Sequence, residues 1–441
     1  MTQSIASHGM RAFTIVWLGQ LISLVGSGLS SFALGLWVYQ RSGSVTQFAL
    51  IALCAVLPRI VLAPLAGALV DRWDRRMVMI LSDAGASLST LILALLLLAG
   101  QLAVWQVYLA VALSAACAAF QEPAYAAALT QLVPRDGFGR ANGMVQLAQA
   151  AADIAAPLLA GVLIVAIQVW GVLLIDWTTF LFAVAALLLV RFPRVAGSAA
   201  RAGGSAALLR EARYGWDYIV RRPGLLGLLL FLAVANLLWG LVGALITPLV
   251  IAFASPAALG VVIAIAGGGM LAGSLVMSAW GGPRRRIAGV LGFELLSGLC
   301  FILMGLRPSV VLVALGAFGA HATIAVIYGS NQVIWQTKVP AAAQGRVFAA
   351  QQMVARSARP LAYLGAGPLA EQLFEPLLAR GGALAGSAGA LLGVGPGRGI
   401  GLLFVLMGLL KVCVVLVGYL SPRLRLVEDE LPNMAAIEQA I

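Results

Sequence analysis

Long apolar runs constrain this 441-residue chain more than any other feature. Windows of about 20 residues with almost no charge recur from end to end, the length a helix needs to cross a hydrocarbon core. Backbone inside a bilayer must satisfy its own hydrogen bonds, so only helices and closed barrels can span it. These runs are long and do not alternate with period two, which favours helices. Charged residues make up 10 % of the chain and hydrophobic ones 62 %, for a mean hydropathy of +1.01. The first run follows Arg11 and has no small-residue cleavage site, so it reads as a span and not a signal peptide. The expected fold class is an all-α membrane protein with about 12 transmembrane helices.

The formal charge of +12 suggests a nucleic-acid partner until its distribution is read. Of 28 basic residues, twenty fall in loops on one side of a twelve-span topology. Arg41, Arg307, Arg380 and Arg398 fall opposite, and Arg59, Arg356, Arg359 and Lys411 lie within spans. That asymmetry follows the positive-inside rule and places both termini in the cytoplasm. Nucleic acid is excluded as a partner. Cys54, Cys117, Cys300 and Cys413 are isolated within apolar runs, so neither a disulfide framework nor a metal site is expected.

Spans are expected at about 12–40, 46–69, 77–99, 103–133, 140–167 and 171–191, then 224–250, 257–279, 287–306, 309–338, 346–375 and 401–420. These define an N-terminal half (1–192), a linker (193–222), a C-terminal half (223–420) and a cytoplasmic tail (421–441) expected to be disordered. In the linker, Leu208 to Trp216 mixes apolar and basic residues and suits a helix on the membrane surface. The halves repeat. Val133-Pro134 followed by Gly139-Arg140 recurs as Val339-Pro340 followed by Gly345-Arg346, an offset of 206. Gly67-x-Leu69-Val70 recurs as Gly273-x-Leu275-Val276 at the same offset. Six spans per unit make the two copies parallel, the plan of transporters whose substrate site lies between halves.

The densest charge cluster, Asp71-Arg72-Trp73-Asp74-Arg75-Arg76, lies in the loop after Gly67. Gly67 permits close packing at the end of its span. Asp71 is suited to accept hydrogen bonds from free N–H groups at a helix start, and would act as a latch if that contact exists in one state only. Arg72, Arg75 and Arg76 are expected to brace Asp71 and Asp74 or to meet lipid headgroups. The second-half counterpart, Gly281 to Arg286, keeps three arginines but lacks both acids. The loop resembles the signature of the major facilitator superfamily, with Asp74 where that family has glycine. The chain as a whole is similar to the family's macrolide-exporter branch of drug/proton antiporters. Ala156-Pro157-Leu158-Leu159-Ala160-Gly161 matches the family's fifth-span antiporter motif only loosely.

Ionisable groups within spans are costly and mark pathways or pairs. At ~1.5 Å rise per residue, Glu122, Asp153, Arg59, Arg356 and Arg359 fall about 15–20 Å from their cytoplasmic helix ends, one layer near the midplane. Glu122 and Asp153 are candidate proton carriers, with the arginines as partners; permanent ion pairs are the alternative. Glu294 and Lys411 are expected to pair with each other. Asp83 is expected to join the loop arginines, and Asp176 to be a helix-terminal acid. His321 is expected to be structural.

The resemblance implies that spans 1, 4, 7 and 10 line the cavity. Their polar and aromatic residues include Gln20, Ser23 and Ser27; Tyr125; Asn236 and Trp239; and Tyr328, Asn331, Gln332 and Trp335. Such a lining suits an amphipathic small molecule. No nucleotide, metalloprotease or nucleophile-elbow motif is present, and no enzyme activity or cofactor is expected. The expected function is secondary active export of amphipathic drugs, macrolides or secondary metabolites from the cell, by proton antiport in the plasma (inner) membrane, as a monomer. Lipid or lysolipid transport, or a non-transporting receptor or assembly factor, are the alternatives.

Overall fold

The computed structural model describes residues 2–70, 73–133, 138–190 and 205–430. Among these the chain is helical, with no strand. Its elements are α1 (Thr2–Ser42), α2 (Val45–Val70), α3 (Arg75–Leu98), α4 (Val104–Leu132), α5 (Phe138–Leu189), α6 (Ser205–Val220), α7 (Pro223–Ile251) and α8 (Pro256–Trp280). There follow α9 (Arg286–Leu306), α10 (Val310–Lys338), α11 (Ala341–Pro368) and a π-helical stretch (Leu369–Phe374). The chain closes with α12 (Glu375–Leu377), α13 (Ala388–Leu392), α14 (Arg398–Leu420), α15 (Pro422–Arg425) and α16 (Val427–Glu430).

Among the described residues, ten helices are long and apolar enough to cross a membrane. One of them, α5, joins two arms at Gln168, whose φ of 59° breaks the helix between the fifth and sixth expected spans. The eleventh long helix, α11, carries Arg356 and Arg359 and is too polar to join the ten. Large apolar side chains such as Val61, Leu81, Leu109, Val165 and Leu416 stand exposed, as a surface solvated by lipid requires.

Two compact units form, Met1–Ala200 with Pro256–Ala264, and Arg201–Ser255 with Ile265–Ile441. In the first, α1 packs on α5, α3 on α4 and α5, and α2 on α4. Small residues carry the crossings, with Ala33, Ala94, Ala156 and Ala160 buried in one cluster beside Leu29 and Leu173. In the second unit α9 packs on α10 and α14, and α7 on α11. Its largest cluster holds Trp335, Leu225, Leu228, Leu291 and Val347.

Three segments outside the long helices are held by specific contacts. Helix α6 exposes Arg213, Tyr214 and Trp216 and packs its last turn inward. Tyr218 and Ile219 are buried in the second unit's core, Tyr218 Oη donates to Lys338 O at 3.2 Å, and Arg222 lies 3.5 Å over the Tyr218 ring. The described part of the tail, expected to be disordered, is helical over Pro422–Arg425 and Val427–Glu430, where Leu424 and Val427, one turn apart, bury against the second unit. The glycine-rich run from Gly393 is the connection between α13 and α14, which begins at Arg398. Gly393, Gly395 and Gly397 turn with positive φ, and Glu375 accepts from Gly397 N (3.3 Å) and Ile400 N (3.0 Å). The buried Arg398 donates to Gly305 O at 3.2 Å.

Candidate functional site

The first unit encloses a cavity of about 560 Å³. Its walls come from α1, α2, α3, α4 and both arms of α5. Residues at intervals of three and four lie on one helix face. On α1 this places Gln20, Ser23, Ser27 and Ser30 together on the cavity wall, and on α3 it places Asp83, Ser87 and Thr90 there. Apolar and aromatic groups complete the lining, among them Trp17, Leu24, Leu93, Val111, Tyr125 and Phe180. The surface is amphipathic, with hydroxyls and amides along one side.

Arg59 on α2 and Glu122 on α4 meet on this wall, Nη1 to Oε1, at 3.0 Å. Both side chains are more than half exposed, so this is an accessible pair and not a buried stitch. Gln20, Ser23, Ser27 and Tyr125 line the same space. Asp153 is elsewhere: exposed on the first arm of α5, it accepts from Gln149 Nε2 at 3.0 Å and is not part of the lining.

Two carboxylates that the sequence reading placed differently are in the cavity. Asp83 does not join the loop arginines. It is buried and accepts from Gln20 Nε2 at 2.9 Å and from Gln121 Nε2 at 2.5 Å. Gln121 also donates to Gln20 Oε1 at 2.8 Å, closing a three-residue ring. Asp176 is not a terminal acid, because it lies two turns beyond the break at Gln168. It is buried, and accepts from Ser27 Oγ at 3.3 Å. The spacing Asp83, Ser87, Thr90 on one face was the available signal for the first. Nothing local marked the second, whose setting depends on α1 crossing α5.

At the charged loop, Asp71 and Arg72 lie outside the described residues, and Gly67 falls within α2. Among the described residues, neither Arg75 nor Arg76 forms an ion pair with Asp74. Asp74 N-caps α3, with Oδ1 accepting from Arg76 N (2.9 Å) and Met77 N (3.2 Å). Arg76 donates from Nε to Leu187 O (2.8 Å) and from Nη2 to Leu188 O (3.0 Å), and Arg75 donates to Ala127 O (3.4 Å). Free carbonyls at helix C-termini favour cations, so Arg76 ties the end of α5 to the start of α3, while Arg75 reaches a carbonyl within the later part of α4.

The second unit solves the same problem with different residues. Its loop has Arg285 at the N-cap of α9, with no side-chain cap of its own. The missing acid comes from α16: Glu428 Oε2 accepts from Ile287 N at 2.8 Å. Ile287 is the second residue of α9, as Arg76 is of α3. Asp429 stands 3.9 Å from Arg285, and Lys338 Nζ donates to Glu428 O at 2.6 Å.

Of the second-half residues expected in a cavity, Trp335 is fully buried, with Nε1 donating to Asn331 Oδ1 at 3.0 Å. The pair packs into the unit's core, so neither presents a surface to a ligand here. Asn236 accepts from Tyr328 Oη at 2.8 Å, and Gln332 is half-buried on the following turn. Arg359 is close to Tyr328 and Tyr363. The side chain of Arg356 is outside the described set. Glu294 and Lys411 do pair, at 2.7 Å and almost fully buried. Ser297 Oγ accepts from Lys411 Nζ at 2.8 Å, and the rings of Phe301 and Trp239 lie 4.6 and 5.2 Å from it. Trp239 stacks edge-on against His321, which bonds to Ala317 O in its own helix.

A bundle of membrane-crossing helices with an amphipathic cavity in its first unit is the architecture of a multi-pass membrane transporter. The chain belongs to the Major Facilitator Superfamily, whose family model matches residues 16–363. Macrolide efflux protein A of Streptococcus pyogenes is 23 % identical over 367 residues, covering 82 % of this chain and 90 % of that protein. The multidrug efflux pump Tap of Mycobacterium tuberculosis is 29 % identical over 378 residues, covering 82 % and 87 %. The fold is similar to that of a bacterial homologue of the human lysosomal transporter Spinster, at a TM-score of 0.68 and 14 % identity over 93 % of this chain and 96 % of that one. It is also similar to the nucleoside transporter NupG, at 0.69 and 12 % over 92 % and 99 %.

Proposed function

We propose that this chain is a secondary active exporter of amphipathic small molecules, exchanging them for protons by alternating access. The observation that carries the reading is the amphipathic cavity of the first unit with the Arg59–Glu122 pair on its wall. A cavity of this size, mostly apolar with a few placed polar groups, suits a drug-sized solute. The relatives named for macrolide and multidrug efflux support export as the direction. Twelve spans with both termini cytoplasmic fit the basic-residue asymmetry when α5 counts as two and α11 as one.

In this reading Glu122 is the proton-sensitive group. Protonating it removes the ion pair and frees Arg59, so a proton is coupled to the contact between α2 and α4. Asp153 on the first arm of α5, and Arg356 and Arg359 on α11, are further candidates for proton coupling. Gly67, Asp71 and Arg72 complete the loop that Asp74, Arg75 and Arg76 anchor, with Asp71 as the state-dependent contact. The test is uptake of erythromycin into inverted vesicles, with and without a proton gradient. Gradient-dependent accumulation that Glu122→Gln abolishes at equal protein level is the expected result. Accumulation indifferent to the gradient, or undiminished in Glu122→Gln, refutes the coupling. Movement of fluorescent lysolipid without drug accumulation refutes the substrate class.

A further inference from the structure

We infer that the cavity of the first unit is a binding site for an organic cation, with Asp83 and Asp176 as two anionic stations for its nitrogen. The inference deepens the export reading by naming a substrate class, and rests on that reading only for the site's use in transport.

Four acidic or basic side chains are in the described lining: Arg59, Glu122, Asp83 and Asp176. Arg59 is committed to Glu122. Among the described residues, neither Asp83 nor Asp176 forms an ion pair. Asp83 is held by two primary amides and Asp176 by hydroxyls, all neutral. Both carboxylates are buried, yet both reach the lining. A buried carboxylate without a cationic partner is costly in an apolar medium, and a ligand cation supplies what the protein omits.

The two stations are joined by a polar track. Gln20 bonds Asp83 and Ser27 bonds Asp176, seven residues apart on α1. Asp83 and Thr90, which adjoins Asp176, are seven apart on α3. Seven residues at ~1.5 Å each set the stations about 10 Å apart. Between them stands Ser87, which is 7 % exposed and whose Oγ has no hydrogen-bond partner. A buried hydroxyl left unpaired on a cavity wall costs free energy that a ligand donor or acceptor recovers. Gly26 allows the upper station to form: a Cβ there would overlap Thr179 Oγ1 and lie 3.0 Å from Asp176 Oδ1.

The occupant is an organic amine or quaternary nitrogen and not a metal ion. Trp17, Leu24, Leu93, Val111, Tyr125 and Phe180 offer an apolar wall that a hydrated ion cannot use, and the volume fits a polycyclic amphiphile. Aromatic faces also favour a positive nitrogen.

The experiment measures fluorescence-polarisation binding of rhodamine 6G, a permanent cation, and Nile red, a neutral dye, to the purified full chain in nanodiscs. Asp83→Asn and Asp176→Asn should each weaken rhodamine 6G at least about tenfold, the scale of a lost charge-assisted contact, and leave Nile red within about twofold. Unchanged rhodamine 6G affinity overturns the proposal, and so does equal weakening of both dyes. Should either variant fail to fold, the wild-type protein supplies a second arm. Rhodamine 6G, but not Nile red, should protect Asp83 and Asp176 from carbodiimide labelling mapped by mass spectrometry, and absence of protection is equally fatal. Cation-selective binding in a protein whose vesicles accumulate no drug would retain this site and remove the export reading. Accumulation of drug without cation selectivity would do the reverse.

Discussion

Replacing Lys411 by methionine leaves Glu294 alone in the core of the second unit. The wild-type ammonium lies 2.7 Å from Glu294 Oε2 and 2.8 Å from Ser297 Oγ, with side chains 2 % and 3 % exposed. Methionine roughly matches the lysine stem in volume, so little cavity forms and the loss is electrostatic. Removing one partner of a buried pair costs about 3–5 kcal/mol, because the remaining charge keeps its desolvation penalty and loses its compensation. At about 2–4 °C per kcal/mol for a unit of this size, the apparent Tm should fall by roughly 6–20 °C. Replacing both partners removes the penalty together with the attraction, so Lys411→Met with Glu294→Met should return to within about 1–2 kcal/mol of wild type. The assay is thermal unfolding of detergent-purified protein, followed by tryptophan fluorescence, which Trp239 beside the pair reports directly. A double variant as unstable as Lys411→Met refutes the reasoning, since the stranded charge would then not be the cause. A double variant that is stable but inactive in vesicles would move the pair from structure to transport.

Four further outcomes follow from the helix ends and the α1 crossing. Glu428→Gln weakens the trans cap on α9, at about 1 kcal/mol or less, and should speed amide exchange at Ile287 severalfold; unchanged exchange removes the cap. Ending the chain after Ser421 also exposes the sites of Leu424 and Val427, each worth about 1.5–3 kcal/mol buried, so the truncated protein should melt several degrees lower than Glu428→Gln. Asp74→Ala should cost about 1 kcal/mol through the lost α3 cap, and a wild-type melting temperature would show that Asp74 does not cap. Gly26→Ala should destabilise and abolish cation binding, with partial recovery on adding Thr179→Ala, because Thr179 Oγ1 is the atom displaced; recovery by no Thr179 variant would place the clash elsewhere.

Much of the architecture is legible in the chain because its causes are local. Apolar runs long enough to span a bilayer must become helices, since no other element satisfies their backbone there. The pairing of Glu294 with Lys411 was also legible, because two opposite charges at similar depth on otherwise apolar helices have few other options. The charged loop was recognised for what it is but misread in detail. Its Arg76 holds carbonyls at the end of α5, its Arg75 one within α4, and its Asp74 caps α3, which depends on where α4 and α5 lie in space. Asp83 and Asp176 were misplaced for a similar reason. Each looked like a terminal charge in its own segment, and only the approach of α1 makes them cavity groups.

By itself, then, the sequence determined the membrane-spanning helices and the family resemblance, because hydropathy and spacing act within a single segment. Tertiary structure alone decided which polar residues share a surface. The loss of the acids from the second copy of the charged loop illustrates the difference. In sequence it is a gap; in the fold, Glu428 and Asp429 reach α9 from more than a hundred residues away. A free helix N-terminus can be capped by any acceptor that packing brings to it, and packing is not written in any one stretch of chain.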